Sequence, residues 1–377
     1  MNFVNFDNSA TTFPKPPSVA AAVQTAFTRY GGNPGRGGHK LSVATSEQVF
    51  KTRAAAADMF GAQPQNAVFA ANCTAALNMA IKGMMQYGGH IIISDYEHNS
   101  VFRPVYALYK RRGATFSVAQ ISDSDEETVE NFRRLIRSDT KCICCMAASN
   151  VTGRLMPIRE LAELCRSYGI CFITDAAQAA GLIDLKVGGG VSFICASGHK
   201  ALYGPSGTGL LISSGEYELS TIMEGGTGAT SEQPEQTPFL PERLESGTVN
   251  TAGIIGLRAG LEFVKTKTPQ RILAHEISLC EQFEQGISRI KDVKLYRIDR
   301  RAPIVSFNIG EKNSQRVSAA LSEKGFALRG GLHCAPLAPR TLGPLEKGTV
   351  RFSPAAFNNS RQVDSLIRAV AKTAKEL

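Results

Sequence analysis

Between residues 68 and 212 the chain carries seven short apolar runs, at 68–71, 91–94, 115–119, 142–147, 171–174, 193–196 and 209–212. Apolar side chains fill successive positions in most of them, the mark of strands covered on both faces. A different spacing falls in between. Ile158, Leu161, Ala162, Cys165 and Tyr168 recur at helical intervals, and so do Val129, Phe132 and Ile136. Buried strands separated by helices predict an α/β fold with a mainly parallel seven-stranded sheet. Binding groups then belong at the carboxyl ends of the strands.

After Gly256 the rhythm changes. A long helical stretch at 257–290 precedes two candidate strands, at 293–298 and 303–309. A helix at 314–324, a short strand, a loop, a strand at 349–353 and a closing helix follow. This predicts a smaller α+β domain. The expected division is 16–256 for the large domain, with 1–15 and 257–377 forming the small one. Residues 225–241, rich in Gly, Thr, Gln, Glu and Pro, read as an extended loop.

Lys200 lies in Ser197-Gly198-His199-Lys200-Ala201-Leu202-Tyr203-Gly204-Pro205, just past one strand. Asp175, in Thr174-Asp175-Ala176-Ala177-Gln178, closes the strand before it. An amine and a carboxylate at neighbouring strand ends are what a pyridoxal phosphate site needs. The lysine condenses with the aldehyde, and the acid keeps the pyridine nitrogen protonated so that the ring accepts electrons.

Other motifs fall at the same edge. Asn72-Cys73-Thr74-Ala75 follows a strand and opens a helix; it reads as a plain helix cap or as a phosphate cradle. His98 follows the next strand and is either structural or a group that stacks on a flat ring and moves protons. Asn150, before Val151-Thr152-Gly153, is a turn residue or a substrate contact. Arg351, within the apolar Thr349-Val350-Arg351-Phe352, needs an anionic partner: a structural acid or an amino-acid carboxylate. Cys334, in Gly330-Gly331-Leu332-His333-Cys334, lies in a loop and is either an unreactive loop thiol or a nucleophile whose thiolate the nearby His333 can promote.

Composition narrows the partners. The net charge is +9, yet basic residues form no run longer than pairs such as Arg111-Arg112, and no basic-aromatic stripe is present. The expectation is no nucleic-acid partner, with an anionic cofactor and substrate accounting for part of the excess. No run reaches the roughly 18 apolar residues of a membrane span, and residues 1–7 lack a secretory pattern, so a soluble cytoplasmic protein is expected. Among the nine cysteines, Cys142, Cys144 and Cys145 share an apolar run with no zinc-like spacing. They read as structural thiols, and no metal is expected.

Together these motifs resemble the class V aminotransferase family of fold-type I pyridoxal phosphate enzymes, in its cysteine desulfurase and selenocysteine lyase branch. Ser-Gly-His-Lys at 197–200, Asp-Ala-Ala-Gln at 175–178 and Glu-Ser-Gly-Thr-Val-Asn-Thr at 245–251 carry the resemblance. By those motifs it implies that Lys200 holds pyridoxal 5'-phosphate and shuttles the α-proton. Asp175 would pair with the ring nitrogen, Gln178 would contact the ring oxygen and His98 would stack on the ring. Thr74, Ala75, Ser197 and His199 would hold the phosphate, and Thr248 that of a neighbouring subunit in a homodimer with shared sites. Asn150 and Arg351 would bind the amino acid.

The implied reaction turns L-cysteine into L-alanine and leaves a persulfide on Cys334 for transfer to an acceptor, a partner protein or a small thiol. Selenocysteine lyase, another class V aminotransferase or β-lyase, and a non-catalytic scaffold are the alternatives. The short stretch from Cys334 to Arg351 resembles the branch with a compact, ordered cysteine loop. Leu332 and Gly35 stand where that branch often has histidine, and 225–245 is shorter than its usual hook between subunits.

Overall fold

The computed structural model describes residues 3–35, 37–228, 232–296, 298–299, 301–335, 337 and 348–377. The chain enters with β1 (Val4–Asn5), α1 (Pro17–Arg29) and α2 (Lys40–Phe60). Strands and helices then alternate: β2 (Ala67–Ala70), α3 (Cys73–Met84), β3 (His90–Ser94), α4 (Asn99–Arg112), β4 (Thr115–Ala119), α5 (Asp125–Arg133), β5 (Thr140–Met146), α6 (Ile158–Tyr168), β6 (Cys171–Asp175), β7 (Phe193–Ser197) and β8 (Gly209–Ser213). These seven strands, β2 to β8, form one sheet in the order β2-β8-β7-β6-β5-β3-β4. Only β8 runs antiparallel to its neighbours.

Local sequence sets these elements. Residues of β6, β7 and β8 are buried throughout, as their unbroken apolar runs require. Asn72 caps α3 by accepting from Ala75 N–H, and Ser124 caps α5, whose first turn carries Asp125, Glu126 and Glu127 against the helix dipole. One face of the sheet packs on Val49 and Phe60 of α2, Phe132 of α5 and Leu161 of α6. The other packs on Leu77 and Ile81 of α3 and Val101 and Val105 of α4. Cutting Leu77 to alanine in such a core costs about 2–5 kcal/mol.

The expected helical stretch at 257–290 is two helices, α7 (Thr251–Lys267) and α8 (Pro269–Ile287). Thr268 between them adopts a positive φ of 63°. Pro269 explains the break: it disfavours helical geometry in the residue before it, and it suits the first turn of a new helix. α7 packs on α1 and α2, whereas α8 belongs to the layer that follows.

That layer contains β9 (Val293–Tyr296), β10 (Val305–Ile309), α9 (Ser314–Glu323), β11 (Phe326–Ala327), β12 (Arg329–Gly331), β13 (Thr349–Phe352) and α10 (Ser360–Glu376). An antiparallel sheet runs β12-β13-β10-β9, and β1 pairs in parallel with β11. Phe6, Phe283, Phe307 and Phe352 fill the core beneath it, with Phe283 stacked on Phe352 at 4.2 Å between ring centres. The sequence-expected strand at 293–298 reaches residue 297, and the expected compact loop after Cys334 includes 336 and 338–347; those positions lie outside the described residues. Residues 229–231 of the 225–245 segment do as well. Among the described residues, no helix is long and apolar enough to cross a membrane.

Candidate active site

The carboxyl ends of β2, β3, β5, β6 and β7 converge on a cavity of about 130 Å³. Asn72, Cys73 and Thr74 line it from the start of α3, His98 and Ser100 from the turn after β3, and Asn150 from the turn after β5. Asp175, Gln178, Ser197, His199 and Lys200 complete the wall. Gly209 makes this closure possible: a Cβ there would stand 2.4 Å from the backbone carbon of Asn72. The start of β8 thus holds the α3 entry tightly against the sheet.

Lys200 and Asp175 share this cavity, as their strand-end positions predict. Burial lowers the lysine pKa, and the Asp175 charge opposes that shift. The lysine backbone is fixed as well, since Thr12 Oγ1 donates to its carbonyl at 2.8 Å. Asp175 Oδ1 accepts from Ala177 N–H at 2.9 Å and from the Cys73 thiol at 3.4 Å.

A hydroxyl relay ties two other walls together. Thr74 Oγ1 and Ser100 Oγ are 2.7 Å apart, and Ser100 Oγ lies 2.8 Å from His98 Nδ1. His98 also caps α4 by accepting from Ser100 N–H, so its ring is held at Nδ1. Burial depresses its pKa, with Asp175 acting in the other direction. His199 is pushed down to about 4, by burial first and then by Lys200 and Lys15. Lys15 Nζ donates to the His199 carbonyl at 2.6 Å.

Two expected contacts are otherwise engaged. The Ala75 amide, read as part of a phosphate cradle, donates to Asn72 Oδ1 at 2.9 Å. Thr248 is exposed, accepts from Asn33 Nδ2 at 3.2 Å, and is not among the residues that line the cavity. Its segment is anchored by Glu245, which pairs with Arg53 at 2.7 Å and accepts from Phe69 N–H at 2.6 Å. Gln178 lines the cavity while donating to the Ser9 carbonyl at 3.0 Å.

Arg351 is 1% exposed and meets Asp7 Oδ1 at 2.8 Å and the Asn150 carbonyl at 2.9 Å. The acid that its strand position called for therefore comes from the N-terminal segment. Its Nε, like Asn150 Oδ1, is buried with no partner among the described residues. Unpaired buried polar atoms of this kind cost stability unless a ligand engages them.

The cysteine loop docks onto the same edge. Asn99 N–H donates to the Cys334 carbonyl at 2.8 Å, and Asn150 Nδ2 to the His333 carbonyl at 2.6 Å. His333 and Cys334 both have positive φ, 53° and 61°. Such strain in non-glycine residues persists only where the surroundings impose it. The expectation that His333 promotes the thiolate is corrected here. Its Nε2 lies 2.9 Å from Thr349 Oγ1, its Nδ1 has no partner among the described residues, and burial drives its pKa to about 3. Arg329 is the cation at the sulfur, with Nη2 donating to Cys334 Sγ at 3.1 Å. Sequence reading missed Arg329, Asp7, Ser100 and Cys73. Only the alternation of β12, which places Arg329 opposite Arg351, offered a signal for the first.

The profile of the family described as Aminotransferase class-V matches residues 4–366. A probable cysteine desulfurase of Mycolicibacterium paratuberculosis is 32% identical over 98% of this chain, which spans 55% of that relative's length. One from Pyrococcus abyssi is 29% identical, with 99% of this chain and 95% of the relative covered. Among solved structures, a cysteine desulfurase of Thermococcus onnurineus superimposes with a TM-score of 0.91 at 28% identity, covering 100% of this chain and 95% of the other. The Escherichia coli cysteine desulfurase structure gives 0.89 at 26% identity, with 100% and 96% covered.

Proposed function

The chain belongs to the aminotransferase class-V family, and on that premise we propose that it is a pyridoxal 5'-phosphate-dependent cysteine desulfurase. It takes sulfur from L-cysteine, releases L-alanine and carries the sulfur on Cys334 to an acceptor. The observation that carries this reading is the docking of the Cys334 loop on Asn99 and on Asn150, a residue that lines the same cavity as Lys200 and Asp175.

The residues present fit the cofactor. The entry of α3, with the Thr74 and Ser100 hydroxyls, Ser197 and His199, offers neutral donors for a phosphate. Lys200 supplies the amine and Asp175 the acid for the ring nitrogen. When bound, the cofactor supplies an electron sink for the pair left at the substrate α-carbon.

This chain's own groups do the rest. Arg351, through its unpartnered Nε, and Asn150, through Oδ1, meet the amino acid's carboxylate and ammonium ends. Lys200, whose lowered pKa favours the neutral amine, removes the α-proton and returns it. Cys334 sulfur forms a bond to the substrate sulfur as the carbon–sulfur bond breaks. Alanine keeps the hydrogens, the enzyme keeps the sulfur as a persulfide, and no external oxidant is consumed. Arg329 steadies the negative sulfur during the attack.

The active unit in this reading is a homodimer, because Thr248 is exposed in its own chain and available to a partner's cavity. A dedicated acceptor protein relieves Cys334 of its sulfur. A reducing, cytoplasmic setting accords with nine free thiols, eight of them buried.

Anaerobic incubation of reconstituted protein with cysteine, selenocysteine and cysteine sulfinate tests this. The expected result is alanine from cysteine together with one added sulfur on Cys334 by intact mass. Transamination without any adduct, or full turnover by Cys334→Ala, refutes it.

A further inference from the structure

Asp175 presents its two oxygens to different surroundings. Oδ1 accepts from Ala177 N–H and from the Cys73 thiol, at 2.9 and 3.4 Å. No hydrogen bond to Oδ2 is formed among the described residues, and the carboxylate lines the cavity. Two donors on one oxygen leave the other free to meet a cation there.

Cys73 is 5% exposed and sits in the first turn of α3, on the cavity wall. Its sulfur is also 3.3 Å from the Cys195 carbonyl. A thiol has one proton, so one of these contacts is a donation and the other is not. The Cys195 carbonyl already accepts from Ala176 N–H at 2.8 Å. Were the proton to go there, sulfur lone pairs would face a carboxylate. Donation to the charged oxygen is the favourable choice.

We infer that Cys73 is a positioning residue for Asp175: its S–H locks the carboxylate with Oδ2 facing the cavity and moderates the negative charge presented to the ring. The inference rests on the pyridoxal phosphate reading above. It makes a cysteine, rather than a second acid or a histidine, the group that tunes the electron sink. The effect is transmitted through Asp175 alone.

The test is a pH titration of the visible absorption band of the reconstituted holoenzyme for wild type, Cys73→Ser and Cys73→Ala, each also in an Asp175→Asn background. Removing the thiol leaves the carboxylate less screened, which stabilises the protonated lysine linkage. The midpoint for Cys73→Ala therefore rises by about half a pH unit. A serine hydroxyl is a stronger donor, so Cys73→Ser keeps the midpoint at or below that of wild type. In Asp175→Asn the differences vanish.

With cysteine as substrate, kcat falls about threefold to tenfold in Cys73→Ala and recovers in Cys73→Ser, while KM stays within about twofold. Equal midpoints, shifts of the same sign in both variants, or shifts that survive in Asp175→Asn overturn the inference. Far-ultraviolet dichroism and melting of the apoprotein separate misfolding from these outcomes, and Cys73→Ser decides the case if Cys73→Ala fails to fold. A wild-type protein that develops no visible band with pyridoxal phosphate refutes the cofactor reading itself.

Discussion

Arg329 and Arg351 face each other directly across the β12–β13 pair. Like charges in that position repel, and each guanidinium has found its own counterpart. Arg329 points at Cys334 sulfur, and Arg351 holds Asp7. Two cations thus stand side by side, one at the Cys334 sulfur and one at the Asp7 carboxylate.

Arg329→Ala removes the donor at the sulfur. Alanine formation in a single turnover is expected to slow roughly 10–100-fold, the loss of one charge-assisted hydrogen bond. The cofactor absorption band stays unchanged. Rapid-quench measurement of alanine checks this, and an unaltered rate would remove Arg329 from the mechanism.

Arg351→Lys keeps the charge but loses the planar fork. KM for cysteine is expected to rise about tenfold, with a smaller change in kcat. Steady-state kinetics with cysteine reads the split directly.

Asp7→Asn separates binding from stability at the same arginine. Arg351 is 1% exposed and Asp7 25%, so the pair is only partly shielded. Breaking it should cost about 1–3 kcal/mol, below the 3–5 expected of a fully buried pair. Urea unfolding measures that cost.

Glu276 is buried against Tyr203, whose hydroxyl donates to it at 3.0 Å. Burial lifts its pKa from 4.5 to about 8. Folding therefore favours the protonated acid; the contribution is whole below pH 4.5 and is lost as pH climbs through 8. Glu276→Gln keeps an acceptor for Tyr203 without the titration. Its melting midpoint should gain on wild type progressively from about pH 4.5 to about 8 and level off above that, and parallel pH curves would contradict the assignment.

Arg53→Met leaves Glu245 without its guanidinium and frees the segment that carries Thr248. Lower cofactor affinity and a weaker dimer are expected together. Sedimentation at graded concentrations and cofactor titration examine both, and unchanged values would detach this segment from the shared site.

The sheet was legible because its signal is local. Seven apolar runs became seven strands, and the 115–119 run coincides with β4 (Thr115–Ala119). Asp175 and Lys200 were legible for the same reason, since each closes or follows such a run. What escaped depends on distant partners. The Asp7–Arg351 pair joins residues 344 apart in sequence, and no pattern in either neighbourhood announces the other. His333 misled because adjacency to Cys334 says nothing of direction: a positive φ turns its ring toward Thr349. The helix break at Thr268 was readable from Pro269, but continuous apolar spacing on both sides outweighed it.

The parallel pairing of β1 with β11 has a temporal side. Synthesis delivers Asp7 344 residues ahead of Arg351, so the acid must wait unpaired for its arginine. Loop closure over such a span is slow relative to assembly of the central sheet. The nascent chain therefore brings Lys200 and Asp175 together before Arg351 meets Asp7, and that ion pair is a late closure of the fold.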